Sequence, residues 1–271
     1  PYCAIANELN VDLQRYEGWQ NKIVFLVPNY MAKISHIKIG KSHLSLRVET
    51  LETNLGDLIG KLYVEYPVGS ESSDFHFNKD VVHVSLRDRP SQIWLYLLDR
   101  GEGDVLDYRR VRLSWGRPPS QEGVTLDITL DDLQEIIQQG ENETVEFKLK
   151  AKGRDPTGDE LAETVVAFAN GQGGIILVGV DDNRNVAGVS NASNTKKAVD
   201  SLIRHRCDPV PQYDIDIRKV DEKSIVLVSI FEGKQKPYLV RGKGPYIRVL
   251  SHDYTPLKHE LDELTKGSSL T

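Results

Sequence analysis

Two hydrophobic periods divide this chain near its middle. Up to about Trp115, apolar residues alternate with polar ones at a spacing of two. The pattern opens at His36-Ile37-Lys38-Ile39 and continues through Leu44, Leu46 and Val48. It returns at 62–66, 75–77, 81–86, 93–98 and 105–113. Period two puts successive side chains on opposite faces of a strand, so each run predicts a strand with one face buried. Short, closely spaced runs of this kind predict an antiparallel sandwich or barrel. Asp99-Arg100-Gly101-Glu102-Gly103-Asp104 reads as a hairpin turn from its glycines and acids. Trp94, Tyr96 and Tyr108 fall in these runs and are read as sheet packing rather than a ligand cage.

Gly116-Arg117-Pro118-Pro119-Ser120-Gln121-Glu122-Gly123 breaks the alternation and reads as a linker. Beyond it the period lengthens. Thr129-Leu130-Asp131-Asp132 opens a helix with Leu133, Ile136 and Ile137 on one face, capped by Thr129 and Asp132 and ended by Gly140. Residues 145–149 read as a strand. Thr157-Gly158-Asp159-Glu160 is a second capping box, before a helix carrying Leu161, Val165, Phe168 and Ala169. The apolar run 175–180 between glycines has the length of a buried strand. A third helix is expected over 197–206, a hairpin around Val220-Asp221-Glu222-Lys223, and a last strand over 246–250.

Length and composition fit this division. At roughly 150 residues per domain, 271 residues suggest two. The expected class is α+β: an all-β sandwich-like domain over 1–115, a linker over 116–127, an α/β domain with a mixed sheet over 128–263, and a disordered tail over 264–271. No run approaches the ~20 apolar residues of a membrane helix, and no basic-then-apolar leader is read, so no membrane partner is expected. Two cysteines, Cys3 and Cys207, are too few for a disulfide scaffold or a structural zinc site, and a reduced, cytoplasmic setting is expected. The net charge of −6 disfavours non-specific coating of nucleic acid. A local basic groove remains compatible with it.

Three blocks in the second half carry candidate chemistry: Gly140-Glu141-Asn142-Glu143-Thr144-Val145-Glu146-Phe147-Lys148; Ala167-Phe168-Ala169-Asn170-Gly171-Gln172-Gly173-Gly174, leading to Gly179-Val180-Asp181-Asp182; and Lys236-Pro237-Tyr238 with Tyr246-Ile247-Arg248-Val249. In this order and spacing they resemble the Alba-like domain of the Schlafen family over about 130–263. The resemblance implies a nucleic-acid-associated domain, and in some members an RNA endonuclease acting on tRNA-like substrates. It implies a three-carboxylate site, with Glu141, Glu146 and Asp182 in the matching places and Asp181 as a neighbour. Carboxylate oxygens suit Mg²⁺ or Mn²⁺, which can activate a water and stabilise phosphoryl charge. Lys148, two residues past Glu146, would share its strand face and orient a phosphate. Vertebrate members carry two copies of the domain, so a homodimer is expected of a single-copy chain. The family usually continues Arg-Val with Gly-Ser, whereas Leu250-Ser251 stands here.

Plainer readings stand beside these. Glu141 and Glu143 read equally as solvated acids, and Asp181 and Asp182 as turn residues. Gly171-Gln172-Gly173-Gly174 follows a helix and precedes a strand, the reverse of a phosphate loop, so it reads as a helix end and ATP is not expected. Gly40-Lys41-Ser42 lacks the earlier glycine of a nucleotide loop, since Ser35 stands there. Lys234, Lys236, Arg241, Lys243 and Arg248 surround Tyr238 and Tyr246, a mixture suited to phosphate contact and base stacking on RNA or DNA. The leading expectation is a metal-dependent endoribonuclease. The alternatives are a non-catalytic DNA- or RNA-binding transcriptional regulator and a protein-interaction module. The first domain would take an unidentified ligand or protein partner.

Overall fold

The computed structural model describes residues 31–101, 103–113, 117–119, 121, 123–150 and 159–266. The alternating half forms seven strands: β1 Ala32–Ile39, β2 His43–Thr50, β3 Leu58–Glu65, β4 Ser70–His76, β5 Val81–Ser85, β6 Gln92–Asp99 and β7 Val105–Arg112. With β8, Val124–Leu126, they make two four-stranded sheets ordered β5-β2-β1-β8 and β4-β3-β6-β7. The apolar alternates of both sheets, among them Ile37, Leu44, Leu46, Leu62, Ile93 and Leu95, meet in one core. Burial of each contributes about 1.5–3 kcal/mol. At the seam, the buried Asp107 carboxylate of β7 accepts the Ile34 amide of β1 at 2.8 Å and Arg109 at 2.6 Å. The sandwich expected from period two is therefore present, and the two sheets share a polar clasp as well as a core.

The expected linker over 116–127 is corrected in part. Its end, β8, pairs in parallel with β1, from Ile37↔Val124 to Ile39↔Leu126, and Pro118 and Pro119 are buried. Val124 enters the sandwich core, while Leu126 packs against the cores of both halves. A three-residue strand carries too little pattern to be seen as a period. Its burial comes from the open edge of β1.

The second half is a three-layer α/β unit. Its mixed sheet runs β12-β13-β10-β9, with β9 Val145–Lys148, β10 Gly174–Val178, β12 Tyr213–Val220 and β13 Lys223–Ile230. β9 and β10 are parallel; the other pairs are antiparallel. Helices α2 Asp159–Asn170 and α3 Ala192–Arg206 cover one face through Leu161, Val165, Phe168, Val199 and Ile203. Helix α1, Leu130–Gln139, covers the other through Leu133, Ile136 and Ile137. Covered on both sides, β10 is buried at every position, which is why its sequence is a continuous apolar run.

The local punctuation matches in most places. Thr129 and Asp132 form the capping box, and Gly140 takes φ 83°. The β12–β13 hairpin turns on Asp221 and Glu222, both at positive φ. Helix α3 starts five residues before the expected Lys197, capped by the Asn191 side chain on the Asn194 amide at 2.9 Å. The expected tail is corrected too: α4, Lys258–Thr265, places Leu264 in a fully buried position. Thr157 and Gly158 of the second capping box, Cys3, Trp115 and residues 267–271 lie outside the described residues. Among the described residues, no helix is long and apolar enough to cross a membrane.

Candidate nucleic-acid interface

The three sequence blocks converge on one hydrogen-bonded framework, whose centre is Arg248. It stands on β16, Ile247–Val249, paired with β17, His252–Tyr254. Its guanidinium donates to Glu146 Oε2 at 2.6 Å, to Asp253 Oδ1 at 2.8 Å and to the Asn142 and Val145 carbonyls at 2.9 and 3.2 Å. It also lies 5.1 Å from the Phe168 ring centre, and its side chain is 3% exposed. Lys148 forms an ion pair with the other oxygen of Glu146. Thr164 of α2 donates to Asp253 Oδ2 at 2.6 Å. A charge taken this far from water persists only when it is paired and hydrogen-bonded, as this one is.

The second and third blocks meet at the end of α2. Fully buried Asn170 donates to the Tyr238 and Tyr246 carbonyls, each at 2.9 Å, and accepts the Tyr238 amide at 2.7 Å. Lys236 donates to the Gly171 carbonyl at 3.0 Å and pairs with Glu232 at 3.1 Å. Gly171-Gln172-Gly173-Gly174 is the helix end expected: Gly173 has φ 80°, and its amide returns to the Phe168 carbonyl at 2.8 Å. The segment packs against the Ile230 carbonyl at Gly173 and the Phe168 ring at Gly174.

The structure brings Glu141, Glu146 and Lys148 together and leaves Asp182 apart. Glu141 accepts the Phe147 amide at 2.8 Å. Burial pushes its carboxyl above the ordinary range, and the charge of Glu146 adds to this; the Phe147 amide, Lys148 and Arg248 pull the other way. Asp182 is exposed on the turn after β10. Neighbouring Asp181 is fixed within that turn by the Asn185 amide and side chain at 2.8 and 3.1 Å, which hold it below its usual value. The carboxylate that joins Glu146 is instead Asp253. Burial pushes it up, against the opposing pull of Arg248 and Thr164. The expected Mg²⁺ or Mn²⁺ set therefore does not fit as arranged. Glu146 already carries two cationic partners, and among the described residues no three His, Cys, Asp or Glu side chains gather as metal ligands. Sequence reasoning missed Asp253 because its strand has only three residues and its acid follows no motif.

The expected basic patch divides. Tyr238 is buried in the core, and Lys236 and Arg248 are committed to the framework, so these three are corrected from surface contacts to internal supports. Lys243 is exposed but bridges Glu163 at 2.7 Å and Asp159 at 3.1 Å, both of which raise its pKa. Tyr246 is half-buried, its hydroxyl pushed up by burial and by Glu163. Lys234 and Arg241 stand exposed on the loops flanking β14, Leu239–Val240, which pairs with the short strands β11, Cys207–Asp208, and β15, Gly244–Pro245. Cys207 is buried, and burial pushes its thiol up to about 12.

Residues 141–256 match the family model described as Schlafen, AlbA_2. The segment 141–256 is a Schlafen AlbA_2 domain. The Arg248–Glu146 pair and the Asn170 contacts thus lie within the family segment, and Asp253 is included in it. No curated protein matches the chain. Two solved structures are similar over 48% of it. One is the DIP2311 protein from Corynebacterium diphtheriae, at 19% identity and TM-score 0.37, of which the match spans 25%. The other is the N-terminal domain of a RecG-related protein from Nitrosomonas europaea, at 22% identity and TM-score 0.35, of which it spans 89%.

Proposed function

We propose that the Schlafen AlbA_2 domain binds nucleic acid without itself cutting it. The family match supports the nucleic-acid class. The observation that carries the non-catalytic form is the double pairing of Glu146 with Arg248 and Lys148. A carboxylate between two cations in a dry site is a poor candidate for an exchangeable metal, because releasing it would strand a buried guanidinium. Lys148, expected to orient a phosphate, instead neutralises Glu146. Contact with the backbone falls to the exposed Lys234 and Arg241, with the half-buried Tyr246 as the ring in the same domain. Phosphate contacts of this kind give affinity with little sequence reading and a steep dependence on salt.

The test is fluorescence anisotropy of labelled tRNA and single-stranded DNA with the full chain in EDTA. Binding is expected in EDTA, weakened by Lys234→Glu with Arg241→Glu and unaltered by Asp182→Asn. Binding that requires Mn²⁺ and disappears with Asp182→Asn would restore the three-carboxylate reading.

A further inference from the structure

The outer face of the β4-β3-β6-β7 sheet carries chemistry that neither the core nor the AlbA_2 domain uses. Leu62, Val64, Ile93, Leu95, Leu97 and Val111 point into the sandwich. Their alternates Tyr63, Trp94, Tyr96, Tyr108, Arg110 and Arg112 share the opposite face, and none belongs to the sandwich core. Cross-strand register aligns them: Tyr63 opposite Trp94, Trp94 opposite Arg110, Tyr96 opposite Tyr108. Tyr96 and Tyr108 stack at 6.1 Å with planes 19° apart; Tyr63 meets Trp94 edge-on at 5.1 Å; and Arg110 lies 5.4 Å from the Trp94 ring. Tyr63 is exposed and the other three rings are half-buried, each with a surface open to water.

A cleft of about 480 Å³ continues from this face toward the second domain, and Arg110, Arg112 and Arg117 line it. Arg117 at its far end touches Gln172, in the turn after α2, and Glu232 at 3.4 Å. Rings alone would also suit a sugar. Three guanidinium groups in one cleft suit a chain with repeated negative charge.

We infer that this sheet face and cleft form a second binding surface, for single-stranded nucleic acid: unpaired bases stack on Trp94, Tyr96 and Tyr108, and phosphates follow Arg110 and Arg112 toward Arg117. A duplex keeps its bases stacked on each other and cannot use the rings. The choice of nucleic acid over a sulfated glycan rests on the reading of the AlbA_2 domain given above. The rings and the cleft do not depend on it.

The experiment uses the full chain and a fluorescein-labelled oligouridylate of about 15 nucleotides. Tyr96→Thr keeps a strand-forming residue, and Arg112→Glu changes an exposed side chain; unchanged melting temperatures verify their folds. Each is expected to weaken binding roughly tenfold, and Arg112→Glu to lower the salt slope by about one. Affinity within about twofold of wild type in both variants overturns the inference. If Lys234→Glu with Arg241→Glu then weakens binding, the AlbA_2 reading stands alone; if it does not, both readings fall. Preferential binding of a heparin-like oligosaccharide that the oligonucleotide fails to displace also overturns the inference.

Discussion

Arg248 shows how one residue changes meaning between sequence and structure. In the sequence it sits among lysines and tyrosines and reads as a surface contact. In the fold it is the counter-ion of two buried carboxylates, and it joins β16, β17 and β9. Burial works to lower its pKa, but Asp253 and Glu146 outweigh this and hold it above its ordinary value. Replacing it with alanine leaves Glu146 and Asp253 unpaired, and urea unfolding of Arg248→Ala is expected to show a loss of about 3–5 kcal/mol. Arg248→Lys is expected to fall between, since one ammonium cannot span both carboxylates and two carbonyls. Equal stability of wild type and Arg248→Ala would remove the framework from the account.

Cys207 yields a pH prediction at the same scale. Its thiol is moved from 9.0 to about 12 by burial. A raised folded-state pKa means the unfolded chain ionises first, so stability is unaffected below pH 9 and falls as pH rises from 9 toward 12. In a Cys3→Ser background, Cys207 is expected to resist thiol reagents at pH 8 until the protein is denatured. Fast labelling of the native protein would show that the site is open.

Among the elements, those with a strong local signal were legible before the fold was known. The Thr129–Asp132 capping box, the Asp221-Glu222 turn and the all-buried β10 each follow from local chemistry or from one uniform environment. The strand expected over 246–250 is β16, but its partner β17 and helix α4 were not legible. Three-residue strands have no period, and α4 is polar except for Leu261 and Leu264; its available signal is Glu260, which caps the Leu257 amide at 2.7 Å. The start of α3 was missed because residues 192–196 place no large apolar side chain on the core. The end of α2 supplies the prediction at this scale. A Cβ on Gly173, at φ 80°, would stand 2.7 Å from the Ile230 carbonyl oxygen. Gly173→Ala is therefore expected to lower stability by about 1–3 kcal/mol in thermal or urea unfolding. An unchanged midpoint would mean that the turn relaxes without cost.

For the whole molecule, the two halves were legible as separate classes, but not as joined. Period switching gives a sandwich and an α/β unit. It does not reveal that β8 completes a sandwich sheet, nor that Arg89 crosses to α1. Arg89, between β5 and β6, pairs with Asp132 at 2.5 Å and Glu135 at 2.8 Å. Such a contact depends on tertiary placement and leaves no trace in either local pattern. The same holds for the candidate site: Glu146 was found from its block, whereas its partner Asp253 comes from a distant hairpin. Arg89→Ala is expected to cost about 2 kcal/mol, discounted for the exposure of Glu135, and to hasten proteolysis between the halves. Equal proteolysis of variant and wild type would show that the Arg89 bridge does not hold the halves together.

The most direct test of the account is to incubate labelled tRNA with the full chain across a salt series, in Mn²⁺ and in EDTA, reading both anisotropy and RNA length. A bound, uncut RNA is expected in both, with log affinity falling linearly in log salt and affinity weakened by Lys234→Glu with Arg241→Glu. Mn²⁺-dependent cleavage abolished by Asp182→Asn would contradict it, and would place the chemistry on the carboxylates that the fold holds apart.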